Sequence, residues 1–298
     1  MAYQHKGVII PMVTPFTEGG ELDDGAVRGI TEHLIACGVH GLFPIGSTGE
    51  FFALDVAERG RVLKTVIAQA RGRVPVWAGT GAVTTRDAIR LTQQADALGA
   101  DGFIIITPYY ITPSQDELYE HYAAIARSTD KPVIPYNNPG RTSVNVSAEL
   151  MARLWCIENI VGIKDSSNNI ALTAELINCA PPGVSVFQGQ DAIIYPSLAI
   201  GAVGAIAATG NAVAREVVEI YEAHLQGDRA RAMKAQEKVA LMRKAILLGT
   251  FPVVLKEAMV MQGIPGGHCR PPARALSEDK RRELRASLER IGVLQKVA

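Results

Sequence analysis

The sequence predicts a (β/α)8 TIM barrel with a C-terminal helical extension, and two observations carry that prediction. Eight short apolar strand candidates, beginning near Gly7, Gly41, Pro75, Gly102, Pro132, Ile160, Val184 and Val203, alternate with helical patterns, at roughly thirty residues per unit, the spacing of a closed parallel barrel. Three helix-like segments also end in the same Gly-x-x-Gly turn before an apolar run, at Gly38-Val39-His40-Gly41, Gly99-Ala100-Asp101-Gly102 and Gly201-Ala202-Val203-Gly204. The first glycine suits a left-handed helix stop and the second lets a strand begin tightly. An open doubly wound sheet is the alternative. It would carry a glycine-rich nucleotide turn after its first strand, and Pro11-Met12-Val13-Thr14-Pro15 is not one.

The helical segments follow from spacing and caps. Val62, Val66 and Ala70 fall on one face of the second. The third opens at Thr84 or Thr85 as cap and places Ala88, Leu91, Ala95 and Leu98 on one side. After Leu225 the alternation stops. Gly227-Asp228 opens a long helical run through Leu248, and further segments run from Pro252 to Gln262 and from Ser277 to Ile291. The expected organisation is therefore a barrel over residues 1–225 carrying the active site and a helical extension over 226–298 packed on it. No low-complexity linker separates the two.

Composition excludes several classes. With 298 residues, 48% of them hydrophobic, the chain can bury one large core. Thirty basic residues balance thirty acidic ones, so nothing at this level marks a nucleic-acid or anionic-membrane partner. Cys37, Cys156, Cys179 and Cys269 are far apart and form no CxxC, as expected of thiols in a reducing compartment. The start has no apolar signal core. The uncharged stretch between Asp191 and Arg215 is long enough to raise a transmembrane reading, but Pro196, Gly201, Gly204, Gly210 and Asn211 break it into pieces too short to span. A cytoplasmic protein is expected.

In such a barrel the residues just past the carboxyl ends of the strands line the site. That rule separates the lysines: Lys6 and Lys131 precede strands one and five, whereas Lys164 closes strand six, after Val161-Gly162-Ile163. A cation at the inner end of an apolar strand is costly to keep charged. Desolvation lowers such an amine from about 10.4 toward about 7–8, where it can attack a ketone and form a Schiff base. A surface lysine snorkelling past a strand end is the duller alternative. On the same rim fall Thr14, Ser47, Thr48, Thr107, Tyr109, Tyr110, Tyr136, Asn137, Gly189 and Asp191. Hydroxyls outnumber charges there, which suits proton relay and carboxylate binding.

Each of these has a structural alternative. Gly46-Ser47-Thr48-Gly49-Glu50 can be only a strand-to-helix turn, and it lacks the lysine of a phosphate loop. Tyr109-Tyr110 can be packing, and Arg141 a solvated loop charge. The six histidines show neither HxxxH nor HxH spacing, which disfavours a zinc-dependent aldolase. No metal and no cofactor is expected.

Four motifs taken together, Gly46-Ser47-Thr48-Gly49-Glu50, Thr107-Pro108-Tyr109-Tyr110, Tyr136-Asn137-Asn138-Pro139-Gly140-Arg141-Thr142 and Gly162-Ile163-Lys164-Asp165, resemble the dihydrodipicolinate synthase and N-acetylneuraminate lyase family of Schiff-base aldolases and lyases, over nearly the whole chain. The resemblance implies that Lys164 condenses with the keto group of pyruvate. It implies that Tyr136 sits over the adduct as proton donor and acceptor, and that Thr48 links Tyr136 to Tyr110, which reaches into a neighbouring subunit's site. Ser47, Thr48 and nearby amides would hold the pyruvate carboxylate, with Gly189 and Ile206 lining the pocket floor. Arg141 looks like the arginine of the synthases that receives the carboxylate of aspartate semialdehyde. A homotetramer built as a dimer of dimers is implied, with a small keto acid and an aldehyde as its partners.

Other residues point to a second enzyme reading, an aldolase or dehydratase of 2-keto-3-deoxy sugar acids or 4-hydroxy-2-oxoglutarate. Ser47 stands where synthases more often have threonine, and Asp165 where they have glutamate. The stretches 251–259 and 266–272 also resemble that second group. Phe51, Phe52, Val56 and Val83 stand where some synthases have the small or polar groups of a lysine-feedback pocket, and apolar groups cannot satisfy a charged amino acid. A barrel that only binds its ligand is the reading outside enzymology, and the intact set Lys164, Tyr136 and Thr48 argues against it.

Overall fold

The computed structural model describes residues 5–295. Among them, eight parallel strands make one sheet: β1 (Gly7–Pro11), β2 (Gly41–Phe43), β3 (Trp77–Gly79), β4 (Gly102–Ile106), β5 (Val133–Asn137), β6 (Gly162–Asp165), β7 (Ser185–Gln188) and β8 (Gly204–Ile206). They pair in the order β2-β1-β8-β7-β6-β5-β4-β3. The two ends meet where Leu42 N donates to Pro75 O at 2.9 Å and Gly79 N to Pro44 O at 3.1 Å, so the sheet closes into a barrel. Every residue of these strands is buried, as expected when helices cover a parallel sheet and side chains fill its interior.

The covering helices are α1 (Asp24–Ala36), α2 (Val56–Ala70), α3 (Thr85–Ala97), α4 (Gln115–Ala126), the single turn α5 (Pro139–Thr142), α6 (Ala148–Leu154), α7 (Ile170–Cys179), α8 (Ile194–Ala199) and α9 (Gly210–Leu225). Their starts are set by side-chain caps that satisfy free N–H groups. Thr84 caps α3 by accepting from Asp87 N, while Asp55 with Glu58 and Ser114 with Glu117 form reciprocal boxes on α2 and α4. The first glycine of each Gly-x-x-Gly turn is left-handed, with φ of +84° at Gly38, +92° at Gly99 and +115° at Gly201. The strands begin within two residues of the expected positions. Lys164 is the penultimate residue of β6, since Asp165 closes that strand.

Beyond α9 the chain continues as α10 (Arg229–Ala245), α11 (Val253–Met261) and α12 (Glu278–Ile291). A buried polar network ties this segment to the carboxyl rim of the barrel. The Lys256 ammonium, on α11, pairs with Glu50, in the turn after β2, and donates to His268 O at 2.6 Å. Both side chains are almost wholly excluded from water, at 1% and 2% exposure. Arg270 grips the Glu58 carboxylate with two nitrogens, at 2.7 and 2.5 Å, and donates to the carbonyls of Gly20 and Ala53. Lys256 and Arg270 both lie over the Phe16 ring, at 4.7 and 4.3 Å.

Removing one member of a buried pair strands the other charge, which costs more than the pair contributes. Lys256→Met should therefore lower unfolding stability by about 3–5 kcal/mol. The double variant Lys256→Met with Glu50→Gln should recover part of that loss. Denaturant unfolding checks this, and a loss under about 1 kcal/mol in the single variant contradicts it.

Candidate active site

Strand register assembles the centre. Tyr136 on β5 lies directly beside Lys164 on β6, which lies beside Phe187 on β7. Paired residues of parallel strands face the same side, so the amine and the phenol share one layer inside the barrel mouth. Lys164 Nζ sits 3.8 Å from the Tyr136 ring centroid and 5.2 Å from that of Phe43. The side chain is 4% exposed.

These surroundings set the proton equilibria. Burial pushes the Lys164 ammonium down from the usual lysine range, and Arg141 adds to that, while Tyr136 and Asp191 oppose it. For Tyr136, burial alone would raise the phenol. The Lys164 charge and hydrogen bonds with Ser166, Asn138 and Lys164 outweigh it, so the phenol lies below its usual range. Amine and phenol thus compete for a proton, the condition for passing one between them. Asn138 Nδ2 donates to the Tyr136 hydroxyl at 2.7 Å and fixes its direction.

A cavity of about 380 Å³ opens over this pair. Its lining includes Ser47, Thr48, Tyr136, Arg141, Lys164, Gly189 and Ile206, so these site residues expected from the sequence share one space. Ser47 and Thr48 start a short 3-10 turn running to Gly49, and the first N–H groups of such a turn have no partner within it. Gly189 leaves room: a Cβ there would fall 2.0 Å from Ser166 Oγ and 3.1 Å from Lys164 Cε. Arg141, on α5, has its guanidinium 4.5 Å from the Phe251 ring centroid. A larger hollow of about 960 Å³ opens among His5, Trp77, Asp101 and Asn159, at the amino ends of the strands. It holds no lysine, and Lys131 nearby is engaged by Asp96 at 3.0 Å and by Ala100 O at 2.7 Å.

Tyr110 lies outside the cavity. It is 97% exposed with φ of +74°, and Ile111 and Phe52 are exposed as well. Several rim groups are occupied by the architecture. Thr14 Oγ1 donates to Gly49 O at 2.8 Å, and Thr107 Oγ1 to Thr142 Oγ1 at 3.0 Å. Asp165 accepts from Asn137, from Ser167 N and Oγ, and from Thr173 Oγ1. Its carboxylate braces the β6–α7 turn. Asp191 accepts from Thr209 N and Oγ1 at 2.8 and 2.6 Å.

Among the lining residues that sequence reasoning does not single out, Asn138, Ser166, Arg243 and Phe251 bear most on the chemistry. Asn138 follows the rim residue Asn137, and Ser166 lies in the turn just after Lys164, so polar character next to a rim residue is the signal that could find them. Ser166 is 5% exposed, and its Oγ has no hydrogen-bond partner of normal geometry. Arg243 and Phe251 come from the extension, and no local pattern announces them. Among the described residues, no three His, Cys, Asp or Glu side chains gather as metal ligands, and no helix is long and apolar enough to cross a membrane.

Comparison with known proteins agrees with this fold. The Dihydrodipicolinate synthetase family model matches residues 4–291. A 4-hydroxy-tetrahydrodipicolinate synthase of Pelobacter propionicus is 37% identical over 289 residues, which cover 97% of this chain and 99% of that one. Among solved structures, dihydrodipicolinate synthase from Aquifex aeolicus superposes with a TM-score of 0.93 at 34% identity, covering 98% and 100% of the two chains. YagE, a prophage protein of E. coli K12 belonging to the dihydrodipicolinic acid synthase family and solved in complex with pyruvate, gives 0.95 at 34% identity with the same coverage. A barrel closed around a buried lysine and tyrosine, matched by sequence and structure along almost its full length, belongs to the dihydrodipicolinate synthetase family.

Proposed function

We propose that this chain is a pyruvate-dependent class I aldolase that condenses pyruvate with aspartate semialdehyde, as a 4-hydroxy-tetrahydrodipicolinate synthase in lysine biosynthesis. The observation that carries the chemistry is the buried Lys164 amine against the Tyr136 phenol at the floor of a cavity. The names of the relatives and the Arg141 guanidinium at the mouth carry the choice of acceptor.

In this reading the neutral Lys164 amine attacks the ketone carbon of pyruvate. The carbinolamine loses water, and the protonated imine forms. The imine nitrogen draws electrons as a methyl proton leaves, and the resulting enamine attacks the aldehyde carbon, whose oxygen takes up a proton; water then hydrolyses the new imine and frees the product and the Lys164 amine. Tyr136 carries the protons, with its hydroxyl steered by Asn138. Ser47 and Thr48 with the turn amides hold the pyruvate carboxylate, and Gly189 and Ile206 form the floor. Arg141 receives the aldehyde's carboxylate.

Thr48 passes protons between Tyr136 and a Tyr110 supplied by a second subunit. The exposed cluster Phe52, Tyr110 and Ile111 is the face that such a subunit would cover. The proposed assembly is a cytoplasmic homotetramer, with the barrel at 1–225 and the extension at 226–298. Phe51 is buried, and its apolar ring offers free L-lysine no hydrogen-bond partner. One observation favours the second reading, cleavage or dehydration of a keto-deoxy acid: the Ser166 hydroxyl, which interacts with the Tyr136 phenol, lines the cavity and is placed to bond a substrate hydroxyl.

Two substitutions test the assignment. Tyr136→Phe should cut kcat about a hundredfold or more while pyruvate is still trapped by borohydride, because it removes a proton carrier and little volume. Retention of full turnover would remove Tyr136 from the mechanism. Arg141→Ala should lose about ten- to a hundredfold in kcat/KM for aspartate semialdehyde and leave uncharged aldehydes nearly unchanged. An unchanged aspartate semialdehyde rate, with wild type preferring a keto-deoxy sugar acid, transfers the assignment to the second reading.

A further inference from the structure

We infer that Arg243, contributed by the extension, is a second cationic anchor for the acceptor's carboxylate and acts with Arg141 across the mouth of the cavity. The inference deepens the Schiff-base reading above and rests on it. Arg141 and Arg243 line the same cavity, and among the described residues neither side chain has a carboxylate partner. The one acidic residue in that lining, Asp191, is buried and engaged by Thr209. Lys164, the remaining cation, lies deeper against Tyr136. The mouth therefore presents two guanidinium groups and no free anion, the arrangement that recognises a carboxylate.

The placement of Arg243 is fixed rather than incidental. Gln236, on α10, donates to Asp191 O at 2.8 Å and accepts from Tyr195 N at 2.8 Å, which clamps the helix to the rim after β7. Arg243 follows seven residues later, two helical turns or about 10 Å along the same face. Met242 and Ile246 are buried on either side of it. Phe251, a few residues on, lies under the Arg141 guanidinium, so one segment supplies a cation and orients the other. An anion at this end of α10 meets the carbonyl end of the helix dipole, so a nearby cation must hold it there. Lys244 shares that last turn but is exposed and lies outside the cavity lining, which makes it the internal control.

The acceptor class implied is a short aldehyde that ends in a carboxylate. The test compares wild type, Arg243→Gln, Arg243→Lys and Lys244→Gln in the full chain, with pyruvate held saturating. The varied substrates are aspartate semialdehyde and an uncharged aldehyde of similar length, and borohydride trapping of pyruvate is measured in parallel. Arg243→Gln should raise KM for the carboxylated aldehyde about tenfold, with kcat, pyruvate trapping and the uncharged aldehyde nearly unchanged. Arg243→Lys should recover part of the loss, and Lys244→Gln should match wild type. An Arg243→Gln variant that behaves like Lys244→Gln, or that loses equally on the uncharged aldehyde, overturns the inference while normal trapping leaves the Schiff-base reading standing. A wild-type chain that traps no pyruvate overturns both.

Discussion

The structure around the site depends on one constraint, a primary amine held out of water at the carboxyl end of β6. An ammonium in that position would need a full carboxylate partner or many hydrogen bonds. Lys164 instead faces two aromatic rings, Phe43 and Tyr136, and the buried acid that acts on its charge, Asp191, is already engaged by Thr209. Burial therefore favours the neutral amine, the form that the proposed Schiff-base chemistry requires. The neighbours follow from the same requirement. Gly189 has no Cβ because one would strike Ser166 and crowd the lysine, and Asn138 aims the tyrosine hydroxyl.

The extension belongs to this arrangement. Lys256 and Arg270 lock it to the turn that carries Ser47 and Thr48, since Glu50 closes that turn in a left-handed conformation. The same segment delivers Phe251 and Arg243 to the mouth. A charged pair sealed from water is an uneconomical way to gain stability alone. It does fix register between two surfaces that both contribute to one cavity, which gives the pair a reason to sit there.

The barrel and the floor of the site were legible in the sequence because both obey local rules. The strand period, the left-handed glycines and the rim position of Lys164 are consequences of short stretches of chain. Tyr136 was equally visible, since the register that sets it beside Lys164 follows from closing a parallel sheet. The mouth was not legible. Arg243 is one of many basic residues on its helix, and only the clamp at Gln236 decides which face looks at the cavity. The rim hydroxyls misled in a different way: Thr14 and Thr107 are spent on neighbouring groups. Asp165 also loses weight as a guide to substrate, because its carboxylate is absorbed by the turn it braces.

The central claim is that Lys164 is a nucleophile whose pKa burial lowers, and reductive trapping with pyruvate across a pH series tests it most directly. A lowered pKa leaves the amine neutral at lower pH, so the trapping rate should rise through that lowered value and level off well below about 10.4, the ordinary lysine range. Peptide mapping should place one pyruvate-derived mass on Lys164. A label on another lysine, or a rate still climbing through the ordinary lysine range, would contradict the account.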